Sequence, residues 1–247
     1  MLFVLLALQV AMTPPRQVAE LDTGRLKGDV SRLAWSPDAT EFYVQTVDRD
    51  RTGVVTGVRH YLVSATDQKI RSVDQEPAWA AKYWAWKSAQ TAPGLAAFRI
   101  DVKQHEDTVR STASPTGGAL AKGGVADPSQ GSTAEDVANA AYNTQHLLIS
   151  DLKVKNETIG TWVNEPVIPG ATFTWSPEPL HLLAFTRHDK KEGGPIVILD
   201  ASGQKQELAG PKNAILPAWS DDAKRLAWLE RKDKKKFALM VADIAVQ

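Results

Sequence analysis

Few residues in this chain have the types and spacing that catalysis or metal binding requires. A serine hydrolase sets its nucleophile in a Gly-x-Ser-x-Gly elbow, a strained strand-to-helix turn. The 247 residues contain no such pentapeptide. His60, His105, His146, His181 and His188 are scattered, and none stands in a motif with Ser and Asp partners. A triad would have to assemble from distant positions. Asp48-Arg49-Asp50-Arg51-Thr52-Gly53 begins like a calcium loop. The twelfth position, which must supply a bidentate carboxylate, is Arg59, so the stretch reads as a charged hairpin tip. Gly117-Gly118-Ala119-Leu120-Ala121-Lys122-Gly123-Gly124 has the glycines and lysine of a phosphate loop, but Gly follows the lysine where Ser or Thr is needed. It reads as a flexible loop in which Gly117, Gly118, Lys122, Gly123 and Gly124 are candidate partner contacts. Arg231-Lys232-Asp233-Lys234-Lys235-Lys236 is a basic hairpin tip, a solvated one by the simplest reading and an anionic-partner contact by the alternative. No catalytic residue, cofactor or metal site is expected.

Composition narrows the classes further. No cysteine is present, which excludes disulfides, thiolate metal sites and a cysteine nucleophile. Lys plus Arg number 29 and Asp plus Glu number 29, so the charge balance makes no case for nucleic acid or an anionic membrane. An apolar share of 43% is enough to bury a sizeable core.

What remains is a repeat. Leu33-Ala34-Trp35-Ser36-Pro37-Asp38 returns as Phe173-Thr174-Trp175-Ser176-Pro177-Glu178 and as Pro217-Ala218-Trp219-Ser220-Asp221-Asp222, with a worn copy at Ala78-Trp79-Ala80-Ala81-Lys82-Tyr83-Trp84-Ala85-Trp86. In each, an apolar strand ends at Trp. A polar turn follows in which Pro fixes φ and the acidic residue can accept from nearby N–H groups, and a second apolar strand then begins. Trp35 and Trp79 are 44 residues apart, as are Trp175 and Trp219, the period of four-stranded propeller blades. Indoles at blade period are core anchors rather than a stacking platform; Trp84, Trp86, Trp162 and Trp228 are less constrained.

Residues 1–12, MLFVLLALQVAM, are too short to span a bilayer as a helix. They have the length of a signal-peptide core without its basic start. Export is the expectation, with 1–13 as the signal segment; a structural N-terminal strand, and a cytoplasmic protein, is the alternative. Residues 16–26 precede the first Trp turn and are expected to supply the outer strand of the last blade, whose third strand is the stretch 237–244. Residues 111–131 are rich in Gly, Ser, Ala, Thr and Pro, a long loop. A short helix follows behind the capping box Ser132-Thr133-Ala134-Glu135. The insert spans 111–145 within a domain of 16–247. Asn156-Glu157-Thr158 is a glycosylation sequon, of consequence only in a eukaryotic secretory context.

The Trp-Ser-Pro-Asp turn between apolar strands resembles the propeller repeats of TolB-like proteins, which also occur in prolyl-oligopeptidase-type propellers. Trp35, Ser36, Pro37 and Asp38 carry the full pattern. Trp175, Ser176 and Pro177 carry it with Glu, Trp219, Ser220 and Asp221 lack the Pro, and Trp79 keeps only the aromatic. The glycine usual after the acidic residue is Ala39, Pro179 and Ala223 here. The resemblance implies an all-β propeller; the four blades counted here are fewer than the six typical of that family, so a ring of about four to five four-stranded blades, closed or incomplete, is expected. The resemblance also implies a non-catalytic envelope protein, periplasmic or secreted, that binds a protein or peptide. The alternative is a propeller-type hydrolase or small-ligand-binding protein using polar residues at the central channel.

Overall fold

The computed structural model describes residues 9–51, 55–87, 91–99, 101–104, 145–148, 153–154, 157–158, 164–167, 173–187 and 193–246. The expected Gly117–Gly124 contacts, the capping-box helix and Trp162 lie outside them. In chain order the strands begin with β1 (Val10–Met12) and β2 (Arg16–Asp22). The one-turn helix α1 (Thr23–Leu26) follows, then β3 (Asp29–Trp35), β4 (Glu41–Arg49), β5 (Val55–Ser64) and β6 (Ile70–Val73). Helix α2 (Ala78–Lys87) precedes β7 (Thr91–Ala92), β8 (Leu95–Arg99), β9 (Asp101–Gln104) and β10 (Gln145–Leu148). Next come β11 (Lys153–Val154), β12 (Glu157–Thr158) and β13 (Asn164–Val167). The chain continues through β14 (Phe173–Trp175), β15 (Leu183–Thr186), β16 (Ile196–Leu199) and β17 (Lys205–Glu207) to β18 (Ala214–Trp219), β19 (Arg225–Arg231) and β20 (Lys236–Val246).

The strands form propeller-like antiparallel sheets, the first of them β3-β4-β5-β6 and the second β14-β15-β16-β17. The third is β18-β19-β20, completed on its outer edge by chain from the N-terminus: β2 pairs Lys236–Val241 of β20, and β1 pairs Ile244–Val246. This arrangement covers an edge that would otherwise present unpaired backbone groups. Gln206 of the second sheet braces β1 from the side, accepting from Val10 N at 2.8 Å and donating to Val10 O at 2.7 Å.

The first strand of each sheet packs against its neighbours, β3 beside β18 and β18 beside β14 and β15. Trp35 joins the first sheet to the third, its Nε1 donating to the Ala218 carbonyl at 2.9 Å, with Phe42 against one side of the indole and the Arg225 guanidinium over its ring. Trp175 and Trp219 are likewise fully buried. Their apolar neighbours build two further clusters, one around Trp175 with Phe98 and Phe185, the other around Trp219 with Leu182, Ile198 and Leu226.

One expected element is different. The stretch around Trp79 is helix α2, not a strand-turn-strand unit, and Trp79 anchors no blade. The reason is local. Ala78, Ala80, Ala81 and Ala85 are strong helix formers, and the ten residues include no Gly, Pro or β-branched side chain. The Pro77 carbonyl accepts from Ala80 N and Ala81 N and starts the helix. α2 lies on the flank of the first sheet where a following blade would pack: Trp79 meets Tyr43 edge-on at 6.4 Å, Trp84 sits under the Arg32 guanidinium, and Arg32 pairs with Glu76 at 3.1 Å.

Candidate functional site

The three Trp-Ser turns share one hydrogen-bond device. Ser36 N donates to the Glu41 carbonyl at 2.9 Å, while its Oγ accepts from Glu41 N at 3.0 Å and donates to Asp38 Oδ1 at 2.6 Å. Ser220 does the same with Arg225, at 2.9 and 3.0 Å, and with Asp222 Oδ1 at 2.5 Å. Ser176 N donates to the Leu182 carbonyl at 2.8 Å and its Oγ accepts from Leu182 N at 2.9 Å, closing a turn one residue longer. The Ser36 hydroxyl, with the Thr40 N–H, holds the Asp38 carboxyl below the usual carboxylate range. At Asp222 burial pushes upward, but the Ser220 hydroxyl and the Lys224 N–H outweigh it and the carboxyl is again held low. Ala39 and Ala223 adopt φ of 56° and 58°, the left-handed conformation that glycine adopts without steric cost.

In the third turn the acceptor is Asp222, so Asp221 stands where the first turn has Pro37. This places Asp221 in contact with α2. Lys87, at the C-terminal end of that helix, is fully buried and donates from Nζ to the Trp219 carbonyl at 2.7 Å and to Asp221 Oδ1 at 2.7 Å. Tyr83, one turn earlier, donates to the same Trp219 carbonyl at 3.1 Å. The ammonium also faces the Tyr83 and Trp86 rings, 4.5 and 5.1 Å from their centroids, a favourable cation–π arrangement. Desolvation nevertheless pulls the Lys87 amine down to about 8, although Asp221 pushes it back up. Burial drives the Tyr83 phenol far above its ordinary range.

Contacts of α2 with β3 and β14, and its bonds to the end of β18, lay the helix across one end of all three first strands. Beside it opens a cleft of about 280 Å³ lined by Trp35, Pro37, Trp79, Lys82, Tyr83, Trp86 and Asp221. Helical periodicity makes this lining: residues 79, 82, 83 and 86 fall on one face. Trp79 and Trp86 are half-exposed and Lys82 is exposed, whereas Trp35 and Tyr83 form the buried floor.

A second polar group stands apart from the cleft on the flank of the first sheet. Tyr43 Oη lies 2.7 Å from His60 Nδ1 and accepts from Gln45 Nε2 at 3.2 Å; burial is the main cause that pushes its phenol up to about 12. His181 sits in the second Trp turn, on another sheet. The basic tip that follows Arg231 is at the end of the sheets opposite the Trp turns. There Asp233 accepts from Lys235 N and Lys236 N, and the Lys235 carbonyl accepts from Thr23 N. Among the described residues no group of three or more His, Asp or Glu is placed to hold a metal ion, and no helix is long and apolar enough to cross a membrane.

Of the residues singled out in the sequence, the structure gathers Trp35, Pro37, Trp79 and Asp221 at the cleft. Ser36, Asp38, Ser176, Pro177 and Ser220 stay in their own turns. Lys82, Tyr83, Trp86 and Lys87 were not candidates, because a strand reading of residues 78–86 turns them to alternating faces. The available signal was an alanine-rich segment whose aromatics repeat at helical spacing.

The sequence matches no protein-family model and no curated protein. Among solved structures the chain is similar to that of the Dos1 propeller, with 10% identity over 87% of this chain and 41% of that one, at a TM-score of 0.25. The chain thus spans less than half the length of that structure. At such a TM-score the likeness carries nothing about the site, and the propeller-like architecture rests on the four-stranded sheets themselves.

Proposed function

We propose that this protein is a non-catalytic, exported TolB-like β-propeller whose role is to bind a protein or peptide partner at the Trp-turn end of its blades. The repeat turns support the family reading, and the 44 residues between Trp175 and Trp219 fit one blade of a ring that we put at about four to five units within residues 16–247. The observation that carries the binding reading is the cleft between α2 and the Trp35-Ser36-Pro37 turn: half-exposed indoles over a buried aromatic floor, the lining from which peptide-binding grooves are built. Export fits the apolar residues 1–12. Removal of the segment 1–13 would take β1 and its Gln206 brace with it, and the mature protein would work in the periplasm or outside the cell.

In-cell photo-crosslinking tests the reading. A photoreactive residue replaces Ala85, exposed on α2, or Val55, exposed at the opposite end. A partner captured from position 85, not from 55, and lost when Trp79 and Trp86 are both changed to Ala supports it. Capture from position 55 alone, or capture that survives the double change, refutes it.

A further inference from the structure

The charges around the cleft are unevenly matched. Asp221 is engaged by Lys87 at 2.7 Å, and Asp222 behind it lies 3.6 Å from Arg225, which in turn covers the Trp35 ring. Both carboxylates of the third turn therefore have a cation. Lys82 has none: among the described residues nothing pairs with its ammonium, which stands exposed on the α2 wall between Trp79 and Trp86. A desolvating aromatic surface with one unmatched positive charge favours an occupant with the complementary make-up, a flat apolar body bearing a single negative charge. The volume, about 280 Å³, lies at or below the lower end of the ~300–1,000 Å³ of pockets that enclose drug-sized molecules. It suits one large side chain rather than an extended ligand.

Resting on the peptide-binding reading of this cleft, we infer that the residue it takes is the C-terminal one of a partner chain. Its aromatic side chain would lie between Trp79 and Trp86 and its carboxylate would meet Lys82. Two features make the terminus a better fit than an internal residue. An internal residue brings no negative charge beside its own side chain. A neighbouring Asp or Glu would have to reach the ammonium at its own cost in rotamer freedom.

Isothermal titration with a pentapeptide of alanines ending in phenylalanine tests this. The probes are its free acid, its C-terminal amide and N-acetylphenylalanine. An exposed ion pair of up to about 1 kcal/mol corresponds to a preference of about five-fold for acid over amide. Lys82→Gln should bring the acid to the amide's affinity, and Lys82→Glu should place it below the amide. Lys82 is exposed, so neither change threatens the fold. Equal binding of acid and amide, or an acid affinity unmoved in Lys82→Gln, overturns the assignment. N-acetylphenylalanine keeps the ring, the acylated nitrogen and the carboxylate and should approach the affinity of the peptide acid; binding more than about ten-fold weaker would place the main contacts outside this cleft and overturn the assignment too. A partner still crosslinked from position 85 while the acid shows no advantage would overturn only this inference. Loss of both results would remove the binding reading as well.

Discussion

Lys87 is the residue whose removal says most about how α2 is held. Its amine has a native value of about 8, against roughly 10.4 for a lysine in an unfolded chain. Between those values the unfolded chain binds a proton that the native protein has given up, so stability rises with pH across the window. Below about pH 8 both states are charged, and the native state bears the full cost of burying an ammonium. Worked through, the gain from about pH 7 to about pH 9.5 is roughly 2 kcal/mol, reaching about 3 kcal/mol once both states are neutral. Lys87→Met keeps the stem and removes the titrating group, while Tyr83 still satisfies the Trp219 carbonyl.

Urea unfolding of the parent and Lys87→Met at about pH 7, 8.5 and 9.5 should show the free-energy difference, parent minus variant, increasing by about 2 kcal/mol with pH. Tyr43 and Tyr83 act in the opposite sense, since both have raised native values and lose stability only as pH passes about 10. They are common to both proteins and cancel in the difference. A difference that stays flat, or narrows as pH rises, would show that Asp221 and the Trp219 carbonyl outweigh desolvation and that the native amine is not held below its unfolded value.

The remaining perturbations test the blades. Trp35→Phe should cost about 1 kcal/mol more than Trp219→Phe, because Trp35 Nε1 bonds the Ala218 carbonyl whereas Trp219 Nε1 has no partner among the described residues; thermal unfolding of the two variants compares them. Trp219→Ala should lose roughly 3–5 kcal/mol, and a loss well under 1 kcal/mol would contradict its complete burial. Ala39→Gly and Ala223→Gly should each stabilise by about 0.5 kcal/mol, as release from the left-handed conformation outweighs the added freedom of the unfolded chain. A destabilisation by either would mean the alanines carry contacts beyond their φ. Deleting residues 1–12 should lower the unfolding free energy by about 3 kcal/mol, from the burial of Val10 and the hydrogen bonds of β1, and Gln206→Ala in the full chain should reproduce part of that loss.

The repeat was legible because its defining interaction lies within a few residues of sequence. A serine after the tryptophan bonds in both directions across the turn, and three of the four copies have it. Trp79 is followed by Ala80, which has no hydroxyl to close a turn, so only the 44-residue interval linked that segment to the blades. An interval between two aromatics constrains neither of their conformations. The strong helix propensity of residues 78–87, together with the flank of the first sheet offered by Tyr43 and Arg32, settled it as a helix.

The cleft was hidden for a different reason. Its residues come from segments far apart in the chain, and their roles exist only once α2 has docked. Asp221 illustrates this. Measured against the repeat it is a missing proline, a small defect in a worn turn. Against the structure it is the carboxylate that Lys87 is bonded to, because a proline there would leave the ammonium with the Trp219 carbonyl and aromatic rings but no carboxylate in contact. The departure from the pattern at position 221 and the helix in place of a blade unit at 78–87 are therefore two sides of one contact. Read as a consensus, the sequence treats both as erosion; read through that contact, they specify each other.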